Sequence, residues 1–439
     1  MSSKKVTFTA CGGANFINNS AYFFRFGDDE VLGIDWGGHS KDRQRQPVTY
    51  EGPKPKWLIY SHPHDDHIGM GPLFQRDNPD TRIFATEECK ILTELSWNDK
   101  IRIAERRNQN KPFTREEMSA ALSGIETFHS PGPDKAHPTR LQLSDNLTVY
   151  AYHSGHVLGG VFFLMEYKRE FYLFTSDICF RDRALLKGAP LINFHNNNCR
   201  AIIRESTYIN RNFETRQETA VKFVKFVESI LNNGGKVLIA TMSIDRTQDV
   251  FSTLEDLGIV RRWPVYIDGS GRATAVYMDY LPGAKKKLSK ALSFSSFRER
   301  EEMARSKKPA VILSTSGMMN KGTFSAFWAS RLINRGENGI ASVSYQDPDG
   351  QGFMILNSTH GQLLEIDGQP CYRRACQIGQ FEFSNHMDGA EGMALEYRVR
   401  PDTIVYTHGE DREIERYIRS RTGDGIQRVK SLVGKEVSL

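Results

Sequence analysis

The chain has 439 residues, which is more than one ordinary hydrophobic core accommodates and predicts two or three domains. Hydrophobic residues make up 39% and charged residues 25%, a balance typical of a soluble globular enzyme. The net charge of +5 permits an anionic substrate without requiring one, and the lack of a long apolar run argues against a membrane span or a signal peptide. We therefore expect a cytoplasmic protein with no membrane partner, and we interpret its six scattered cysteines as reduced thiols.

The first two predicted strands run from Val6 to Ala10 and from Val31 to Ile34, and the second is followed by Asp35 and glycines. The apolar run Trp57 to Tyr60 predicts a third, buried strand. Directly after it stands Ser-His-Pro-His-Asp-Asp-His-Ile-Gly, which holds three of the 12 histidines of the chain. This cluster therefore lies on the loop that leaves the carboxyl end of a buried strand, a position that suits a metal site.

His62 and His64 are two residues apart, and Pro63 biases the residue before it towards an extended backbone. Both imidazoles can then leave the loop on one side and bind the same cation. Asp66 and His67 follow where the loop turns into a helix, which directs a carboxylate and a third imidazole at a neighbouring point suited to a second metal. Imidazole together with carboxylate favours zinc or a similar divalent ion. A solvated polar loop is the alternative, but such loops rarely gather so many ligand side chains.

The pattern His-x-His-x-Asp-His resembles the metallo-β-lactamase superfamily. The resemblance implies an αββα sandwich that carries one or two metal ions at its edge, together with hydrolytic chemistry, but it names no substrate. It also implies that Asp35 supports the metal loop from outside the set of ligands. A turn-forming aspartate before glycine remains the alternative interpretation of Asp35.

Two further strand ends supply candidate ligands. The sequence from Phe84 to Arg107 predicts a strand and a helix, and Thr114 opens a second helix with a capping box. A strand over residues 147–152 leads into His-Ser-Gly-His, where glycine allows close backbone approach, and we predict His156 as the third ligand of the first metal. The predicted strand over residues 172–177 ends in Asp177, whose two oxygens can bridge two cations about 3.5 to 4 Å apart. A strand-end cap is the alternative for Asp177.

Glu205 ends another predicted strand, and the segments Tyr-His-Ser-Gly-His-Val-Leu-Gly-Gly, Thr-Ser-Asp and Glu-Ser-Thr-Tyr follow one another in this order. Together they resemble the β-CASP nucleases, in particular the pre-mRNA 3′-end-processing endonuclease of the cleavage and polyadenylation specificity factor type and its prokaryotic relatives. The resemblance covers nearly the whole chain. It implies an α/β protein in which a metallo-β-lactamase αββα sandwich, residues 1–208 and 384–439, carries an inserted α/β β-CASP cap domain, residues 209–383.

Within the cap, an apolar stripe at helical spacing predicts a helix that Asn-Asn-Gly-Gly ends; the stripe is Ala220, Phe223, Val224, Val227, Ile230 and Leu231. Lys236 to Ala240, Val265 to Ile267 and Val311 to Ser314 predict strands that alternate with helical stretches. This alternation predicts a parallel-sheet α/β fold for the cap.

Three cap residues are candidates for holding the phosphates of a nucleic acid. Ser316 lies in the turn Ser-Thr-Ser-Gly-Met-Met, and Arg246 stands where β-CASP relatives have Gly-Arg-Ala-Gln. Lys285 belongs to the densest run of lysines, which would give sequence-independent affinity. The residue before Arg246 is Asp245, at a position where relatives have glycine. An ordinary turn and a solvated surface are the alternatives for Ser316 and for the lysine run.

The last part of the chain returns to the first domain. Ser384 and His386 lie in Phe-Ser-Asn-His, where relatives commonly have Ser-Ala-His or Ser-Gly-His, and the resemblance implies that Ser384 contacts substrate. The strand from Thr403 to Thr407 ends in His408, which matches the final ligand motif of the family. The resemblance assigns His62, His64, His156 and Asp177 to one zinc ion, and Asp66, His67, His408 and the shared Asp177 to the other.

The activity implied by the resemblance is hydrolysis of a phosphodiester, with two Zn²⁺ per chain or Mn²⁺ in their place. Asp66, Glu205 and His386 form the implied catalytic set. His386 protonates the leaving oxygen, and the Glu205 carboxylate orients this imidazole and keeps it protonated. The products would carry 5′-phosphate and 3′-hydroxyl ends.

Single-stranded RNA is the expected partner, because the DNA-repair branch of the family characteristically has valine where this chain has His408. DNA remains a possible substrate, and cleavage can be internal or proceed from a 5′ end. A hydrolase of small lactams, lactones or thioesters is an alternative, but it predicts no inserted cap. An inactive scaffold subunit would lack ligands, and none is missing here. A homodimer or a place in a larger processing complex is compatible with each of these interpretations.

Overall fold

The computed structural model describes residues 5–39, 42, 44–132, 137–192, 199–373 and 375–439, and the chain divides into two compact units. Unit 1 comprises Met1–Asp182, Leu186–Asn212 and Asn385–Leu439, and unit 2 comprises Arg183–Leu185 and Phe213–Ser384. The domain limits 1–208, 209–383 and 384–439 stay predictions. None of the helices in the described ranges combines the length and the apolar composition that a bilayer crossing demands.

The first part of unit 1 alternates strands with a few helices. In chain order these are β1 (Val6–Gly12), β2 (Ala21–Phe26), β3 (Glu30–Ile34), β4 (Trp57–Ile59), α1 (Asp65–Ile68), α2 (Gly71–Asp77), β5 (Arg82–Thr86), α3 (Glu87–Arg106), α4 (Arg115–Gly124), β6 (Ile125–Phe128), β7 (Thr139–Gln142), β8 (Leu147–His153), β9 (Val161–Tyr167), β10 (Glu170–Phe174) and β11 (Cys199–Glu205). The predicted capping box at Thr114 is present at the start of α4.

Unit 2 follows as a second alternating series. Its elements are α5 (Arg216–Asn232), β12 (Lys236–Ala240), α6 (Arg246–Asp256), α7 (Ile259–Arg262), β13 (Val265–Asp268), α8 (Gly271–Tyr280), α9 (Pro282–Leu288), α10 (Phe297–Arg305), β14 (Ala310–Ser314), α11 (Phe324–Leu332), β15 (Gly339–Ser342), α12 (Gln351–Leu356), β16 (Leu363–Ile366), β17 (Gln369–Tyr372) and β18 (Gln377–Gln380). The chain then completes unit 1 with α13 (Gly389–Val399), β19 (Thr403–Thr407), α14 (Asp411–Arg419), β20 (Gln427–Lys430) and β21 (Glu436–Ser438).

Unit 1 is a sandwich of two seven-stranded sheets. One sheet has the order β21-β1-β2-β3-β4-β5-β6 and the other β20-β19-β11-β10-β9-β8-β7. Side chains from both sheets, among them Phe8, Phe24, Val149 and Phe174, share one buried core. A second apolar cluster joins the outer face of the first sheet to α2, α3 and α4, and α13 and α14 cover the outer face of the other. The predicted αββα sandwich is therefore confirmed.

This core forms because the strands of both sheets carry large apolar side chains on their inner faces. Phe8 contacts both Tyr22 and Phe24 through ring contacts, with centroids 6.0 and 5.1 Å apart. Tyr22 in turn contacts Phe174 across the sandwich, at 5.1 Å. Each such ring removes a large apolar surface from water, and burial of this kind is the main stabilising contribution to a two-sheet core.

Unit 2 is built on a five-stranded sheet of order β13-β14-β12-β15-β18, in which all neighbours pair in parallel. The predicted α/β cap with a parallel sheet is therefore confirmed. The apolar stripe of α5 is buried as predicted, and the helix ends at Asn232, just before the two glycines. A separate hairpin, β16-β17, completes the unit. All six cysteines of the chain are buried and free, as expected for reduced thiols.

Candidate metal centre

The candidate metal ligands of unit 1 lie on loops that leave the carboxyl ends of its strands. The first four, between His62 and His67, follow β4, and α1 begins within this cluster at Asp65. His156 follows β8, Asp177 follows β10, and His408 follows β19. Because β10, β11 and β19 run in parallel, their carboxyl ends meet at one edge of the sheet. The fold therefore gathers side chains that are far apart in the sequence.

The gathered side chains form overlapping groups of metal-ligand atoms that lie within 4.8 Å of one another. These groups contain all seven predicted ligands and also the two predicted proton-transfer residues. The groups are His62, His64 and His156; His62, His67 and Asp177; Asp66, His67 and His408; His156, Asp177 and His386; and Asp177, Glu205 and His408. Asp177 occurs in three of the five groups, which places it at the centre of the cluster.

The two oxygens of Asp177 face different imidazoles. Its Oδ2 lies 3.6 Å from Nε2 of His62, 3.5 Å from Nε2 of His67 and 3.7 Å from Nε2 of His156. Its Oδ1 lies 3.3 Å from Nδ1 of His408. Ligand atoms around a tetrahedral zinc ion at ordinary bond lengths are about 3.4 Å apart. The separations of Oδ2 from the three Nε2 atoms are therefore close to those of atoms that share a cation.

One nitrogen atom of His64 and one of His156 also lie close enough together to share a cation. Nδ1 of His64 lies 3.0 Å from Nε2 of His156, and the two rings are nearly perpendicular. On its other side, Nδ1 of His156 donates to the carbonyl oxygen of Asn385 at 3.0 Å. A carbonyl oxygen only accepts, so this bond places the proton on Nδ1 and leaves the Nε2 lone pair available to a metal.

His67 and His62 are oriented by a hydrogen-bond network based on Asp35. The Asp35 carboxylate accepts from Nδ1 of His67 at 2.7 Å and from the backbone N–H and hydroxyl of Ser61 at 2.7 and 2.6 Å. The Ser61 oxygen accepts from Ser176 at 2.8 Å and lies 3.0 Å from Nδ1 of His62. Because the Ser61 proton is given to Asp35, His62 is the donor in this contact, and Nε2 of both histidines faces the cluster.

Burial sets the protonation of these groups. Desolvation lowers the pKa of His62 and of His156 well below the usual histidine value, so both imidazoles are neutral ligands at neutral pH. Burial raises the pKa of Asp35. Burial also opposes ionisation of Asp66 and Asp177, but the neighbouring imidazoles outweigh it and lower the pKa of both carboxyls. The centre therefore offers two neutral imidazoles, His62 and His156, beside ionised carboxylates, whereas the carboxylates around His67 outweigh its burial and raise its pKa.

Two ligand atoms test whether these residues fit a divalent cation. Nε2 of His62 and Oδ1 of Asp177 are buried, and neither has a hydrogen-bond partner within the described part of the chain. Among the described residues, no lysine or arginine forms an ion pair with Asp177. Buried polar atoms without partners are costly unless a ligand satisfies them. The residues present fit a metal ion, and the donor set of imidazole and carboxylate suits zinc.

His386 and Glu205 form a pair beside the metal ligands. Nδ1 of His386 donates to Glu205 Oε2 at 2.8 Å, and Thr207 Oγ1 donates to the same oxygen at 2.6 Å. Glu205 Oε1 accepts from the backbone N–H of Ile178 at 2.9 Å, which fixes the carboxylate. Burial would lower the pKa of His386, but Glu205 and Asp177 outweigh it and raise that pKa to about 9. The imidazole is therefore a cationic acid at neutral pH.

Three residues around the centre have left-handed backbone conformations that glycine would adopt more easily. They are Asp35 at φ 65°, Ser176 at φ 47° and His408 at φ 49°. Each such conformation costs about 1–3 kcal/mol in a residue other than glycine. Strain of this kind is concentrated at functional sites, where the surrounding contacts hold it in place.

The four candidate substrate residues lie in unit 2. Arg246 is the first residue of α6 and is 9% exposed, and Ser384 is buried with its N–H bonded to Glu382 at 3.0 Å. The hydroxyl of Ser316 is buried and finds no hydrogen-bond partner in the ranges that the structure describes. Lys285 is exposed on α9. β12 and β14 are neighbours in the sheet, so the turns that hold Arg246 and Ser316 lie side by side, whereas Lys285 is on a separate helix.

Several residues that shape the site were not predicted from the sequence. Ser61 links Asp35 to His62, Thr207 holds Glu205, and the Asn385 carbonyl orients His156. Ser61 and Asn385 each precede a predicted functional histidine, and Thr207 lies two residues after Glu205. Proximity to a motif was the one signal available, and it does not distinguish a partner from a bystander.

Three family models match successive parts of the chain. The Metallo-beta-lactamase superfamily domain matches residues 28–209, the Beta-Casp domain residues 247–355, and the Zn-dependent metallo-hydrolase RNA specificity domain residues 372–428. The first match includes the ligands from His62 to Asp177, and the third includes His386 and His408.

The chain is also similar to named ribonucleases and to a transcription termination factor over most of its length. RNase aCSPSF2 of Saccharolobus solfataricus is 25% identical over 98% of this chain and 84% of its own length. Ribonuclease TTHA0252 of Thermus thermophilus is 24% identical over 98% of this chain and 96% of its own length. Transcription termination factor FttA of Pyrococcus abyssi is 24% identical over 93% of this chain and 67% of its own length. A crystal structure of a protein of unknown function from Enterococcus faecalis V583 has the same fold, with a TM-score of 0.59 and 12% identity over 99% of this chain and 100% of that one.

Proposed function

Because the chain belongs to the β-CASP family of the metallo-β-lactamase superfamily, we propose that it is a two-zinc ribonuclease. The reaction is hydrolysis of phosphodiester bonds in single-stranded RNA, and the products carry 5′-phosphate and 3′-hydroxyl ends. The observation that carries the proposal is the Asp177 carboxylate, which lies within 3.9 Å of five imidazoles. The five are His62, His67, His156, His386 and His408.

The ligand atoms divide into two sets that share Asp177. His62, His64 and His156 make the first set, and Asp66, His67 and His408 make the second. Nε2 of His408 lies 3.3 Å from Oδ2 of Asp66, which joins the members of the second set. Mn²⁺ accepts the same oxygen and nitrogen donors and can take the place of zinc.

Divalent cations bound by these residues would supply an activated water and offset the charge that develops on the phosphate. The chain itself supplies the proton. Glu205 accepts a hydrogen bond from Nδ1–H of His386 at 2.8 Å, so the second ring proton, on Nε2, is available for the leaving oxygen. The raised pKa of His386, about 9, keeps this acid charged at neutral pH. Glu205 is thus the residue that orients the acid and maintains its charge.

RNA is the preferred substrate on the strength of the relatives that are named ribonucleases and of the RNA specificity domain match. The substrate backbone binds at the carboxyl edge of the unit 2 sheet, where ligands of open parallel sheets commonly bind. The buried Ser316 hydroxyl and the Arg246 guanidinium supply a donor and a cation there. Ser384 and Lys285 make lesser contacts, and Lys285 acts through its charge alone.

A cleavage assay on purified protein tests this proposal. The protein is stripped with a chelator, reconstituted with Zn²⁺ or Mn²⁺, and given single-stranded RNA and DNA of one sequence, each labelled at either end. We expect metal-dependent cleavage of RNA, slower cleavage of DNA, and products that a 5′-phosphate-dependent exonuclease degrades. The His386→Ala variant is the control for contaminating ribonucleases. Cleavage without added metal, or equal rates for the wild type and this variant, would contradict the proposal.

A further inference from the structure

Three residues of unit 2 come from a part of the chain that otherwise belongs to unit 1. The segment Arg183–Leu185 groups with unit 2, whereas the residues up to Asp182 and from Leu186 belong to unit 1. Arg183 is six residues after the metal ligand Asp177 in the sequence. Its side chain is 1% exposed, although arginine is rarely buried without a charged partner.

The nearest carboxylate to Arg183 is that of Asp245, whose side chain is also 1% exposed, and Asp249 Oδ2 lies farther away, at 3.8 Å from Arg183 Nη1. Arg183 Nη1 donates to Asp245 Oδ2 at 2.6 Å and Nη2 donates to Oδ1 at 3.2 Å, which is a two-point contact. The hydroxyl of Tyr277 donates to Oδ1 at 2.9 Å. Burial opposes ionisation of Asp245, but Arg183 outweighs it and holds the pKa of this carboxyl below its usual value.

Asp245 has a backbone conformation that favours glycine. Its φ of 73° and ψ of −60° lie in a region that residues other than glycine rarely adopt. An aspartate is strained there, and its carboxylate bonds to Arg183 and Tyr277 are the contacts that hold it. This chain therefore fixes by an ion pair a turn that glycine allows without one.

The segment is also held along its backbone. The N–H of Ala184 donates to Asp249 Oδ1 at 3.2 Å, and the carbonyl oxygen of Ala184 accepts from Lys287 Nζ at 3.0 Å. Asp249 pairs with Arg216 as well. Because Asp249 and Asp245 are both on the first turn of α6 or at its start, both anchor the same helix end.

Asp245 belongs to the β12–α6 turn, residues 241–246, which leads to Arg246. The far side of this turn is fixed by buried hydroxyls: Thr247 Oγ1 lies 2.8 Å from that of Thr241 and 3.2 Å from Ser270 Oγ. Met242, at the tip, is 41% exposed. Its sulfur lies against Gly317, the residue after Ser316. The turn is thus rigid at its base and open at the edge where the proposed function places RNA.

We propose that Arg183 and Asp245 are positioning residues that hold the β12–α6 turn in the conformation that binds the RNA backbone. The pair acts through Arg246 and the tip of the turn. This inference rests on the proposed ribonuclease function. It predicts a defect in RNA binding that is separate from the chemistry at the metals.

The test compares Asp245→Gly, Arg183→Lys, Arg183→Met and Arg183→Met/Asp245→Gly with the wild type. Steady-state kcat and KM are measured on a single-stranded RNA oligonucleotide, and kcat is measured on bis(4-nitrophenyl) phosphate, a small phosphodiester that needs only the metal centre. Thermal melting and metal content report folding. Arg331→Met is the matched control, because Arg331 is another unit 2 arginine that pairs with a carboxylate, Glu301, at 2.9 Å, on α11 rather than α6.

Asp245→Gly is expected to raise KM for RNA about tenfold, with hydrolysis of the small phosphodiester and metal content close to wild type. Its melting temperature is expected to fall, because the buried Arg183 loses its two-point contact. Arg183→Lys keeps one charged contact, so its KM is expected between those of the wild type and Asp245→Gly. The double variant is expected to match Asp245→Gly, because the two residues act as one unit. It also carries the test if Arg183→Met, which leaves a buried carboxylate, does not fold.

The outcomes separate this inference from its premise. A wild type that hydrolyses RNA, together with Asp245→Gly at wild-type KM, would overturn the inference alone. Equal losses on RNA and on the small phosphodiester would overturn it too, because they indicate a general structural role. A wild type that does not hydrolyse RNA would remove the proposed function, and the inference with it.

Discussion

The metal centre of unit 1 and the sheet edge of unit 2 occupy the same kind of position, because both lie at the carboxyl ends of parallel strands. Their side chains differ in charge. Asp66 and Asp177 face imidazoles at the first edge, whereas Arg246 and the Ser316 hydroxyl stand at the second. Strand topology therefore supplies the place for a ligand, and the side chains on the loops decide whether that ligand is a cation or an anion.

The two regions also differ in how strain is held. At the metal centre, Asp35 and His408 have left-handed backbones, and their side chains bond to groups of the centre itself. In unit 2, Asp245 has a similar conformation and is held by Arg183. A change at the metal centre should therefore abolish chemistry, while a change at the unit 2 edge should weaken binding. The following predictions test that division.

The largest effect is expected for Asp177→Ala. Removing the shared carboxylate leaves five imidazoles without their common anion, so the positive charge of two cations would no longer be offset. We expect metal content to fall from two ions per chain to one or none, and kcat on RNA to fall by about 10⁴-fold. Elemental analysis beside the cleavage assay checks both; full metal content with full activity would be inconsistent with a central role for Asp177.

His386→Ala is expected to separate chemistry from metal binding. The imidazole donates its Nδ1 proton to Glu205 and belongs to neither proposed set of metal ligands. Both ions should remain, and kcat should fall about 10²- to 10⁴-fold because the leaving oxygen loses its acid. A substrate with a good leaving group, such as bis(4-nitrophenyl) phosphate, should lose much less. Equal losses on both substrates would refute the acid role.

Asp35→Asn is expected to weaken metal binding without removing a ligand. The amide cannot reproduce the charged bonds to His67 and Ser61, so the orientation and basicity of His67 change. We expect metal affinity to fall about 10- to 100-fold, measured by competition with a chromophoric chelator. Activity should return at excess zinc. Unchanged affinity would show that Asp35 serves only as a turn residue.

Glu205→Gln is expected to shift the pH dependence of the reaction. In the wild type, the pKa of His386 is raised to about 9, so activity should persist until the pH rises through that value. The neutral glutamine no longer stabilises the imidazolium, and the pKa falls towards its ordinary value. The alkaline limb of kcat should therefore move to lower pH, with about tenfold less activity at pH 8. A profile that coincides with the wild type would exclude this role.

The smallest effects are expected in unit 2. Ser316→Ala should raise KM for RNA about threefold, because one neutral hydrogen-bond donor is lost, and Lys285→Ala should change KM by less than about twofold at physiological salt. Metal content and hydrolysis of the small phosphodiester should stay at the wild-type level in both. Loss of bound metal in either variant would break the division between the two regions.

The metal loop could be predicted from the sequence because its chemistry is local. Within six positions, spacing and residue type indicated two imidazoles on one side and a carboxylate beside a helix start, and the structure has α1 beginning at Asp65. Strand ends could be predicted for the same reason, since apolar runs precede Asp177, Glu205 and His408. The two interpretations of Asp35 do not exclude each other, because its backbone makes a left-handed turn while its carboxylate accepts a hydrogen bond from His67.

Contacts between distant segments could not be predicted in this way. The pairing of Arg183 with Asp245 joins residues 62 positions apart, and neither has a local pattern that identifies the other. The ion pairs of the lysine run could not be predicted either. Lys287 pairs with Asp256 and Lys290 with Glu255, so part of the positive charge of the run is neutralised within unit 2. Charge counted along the sequence overestimates what remains for a ligand.

The most direct test of the central claim is anomalous scattering at the zinc edge from crystals grown with Zn²⁺. Two peaks are predicted on either side of Asp177, one beside His62, His64 and His156 and the other beside Asp66, His67 and His408. A single peak on one side, or no peak within bonding distance of Asp177, would contradict a catalytic centre of two cations.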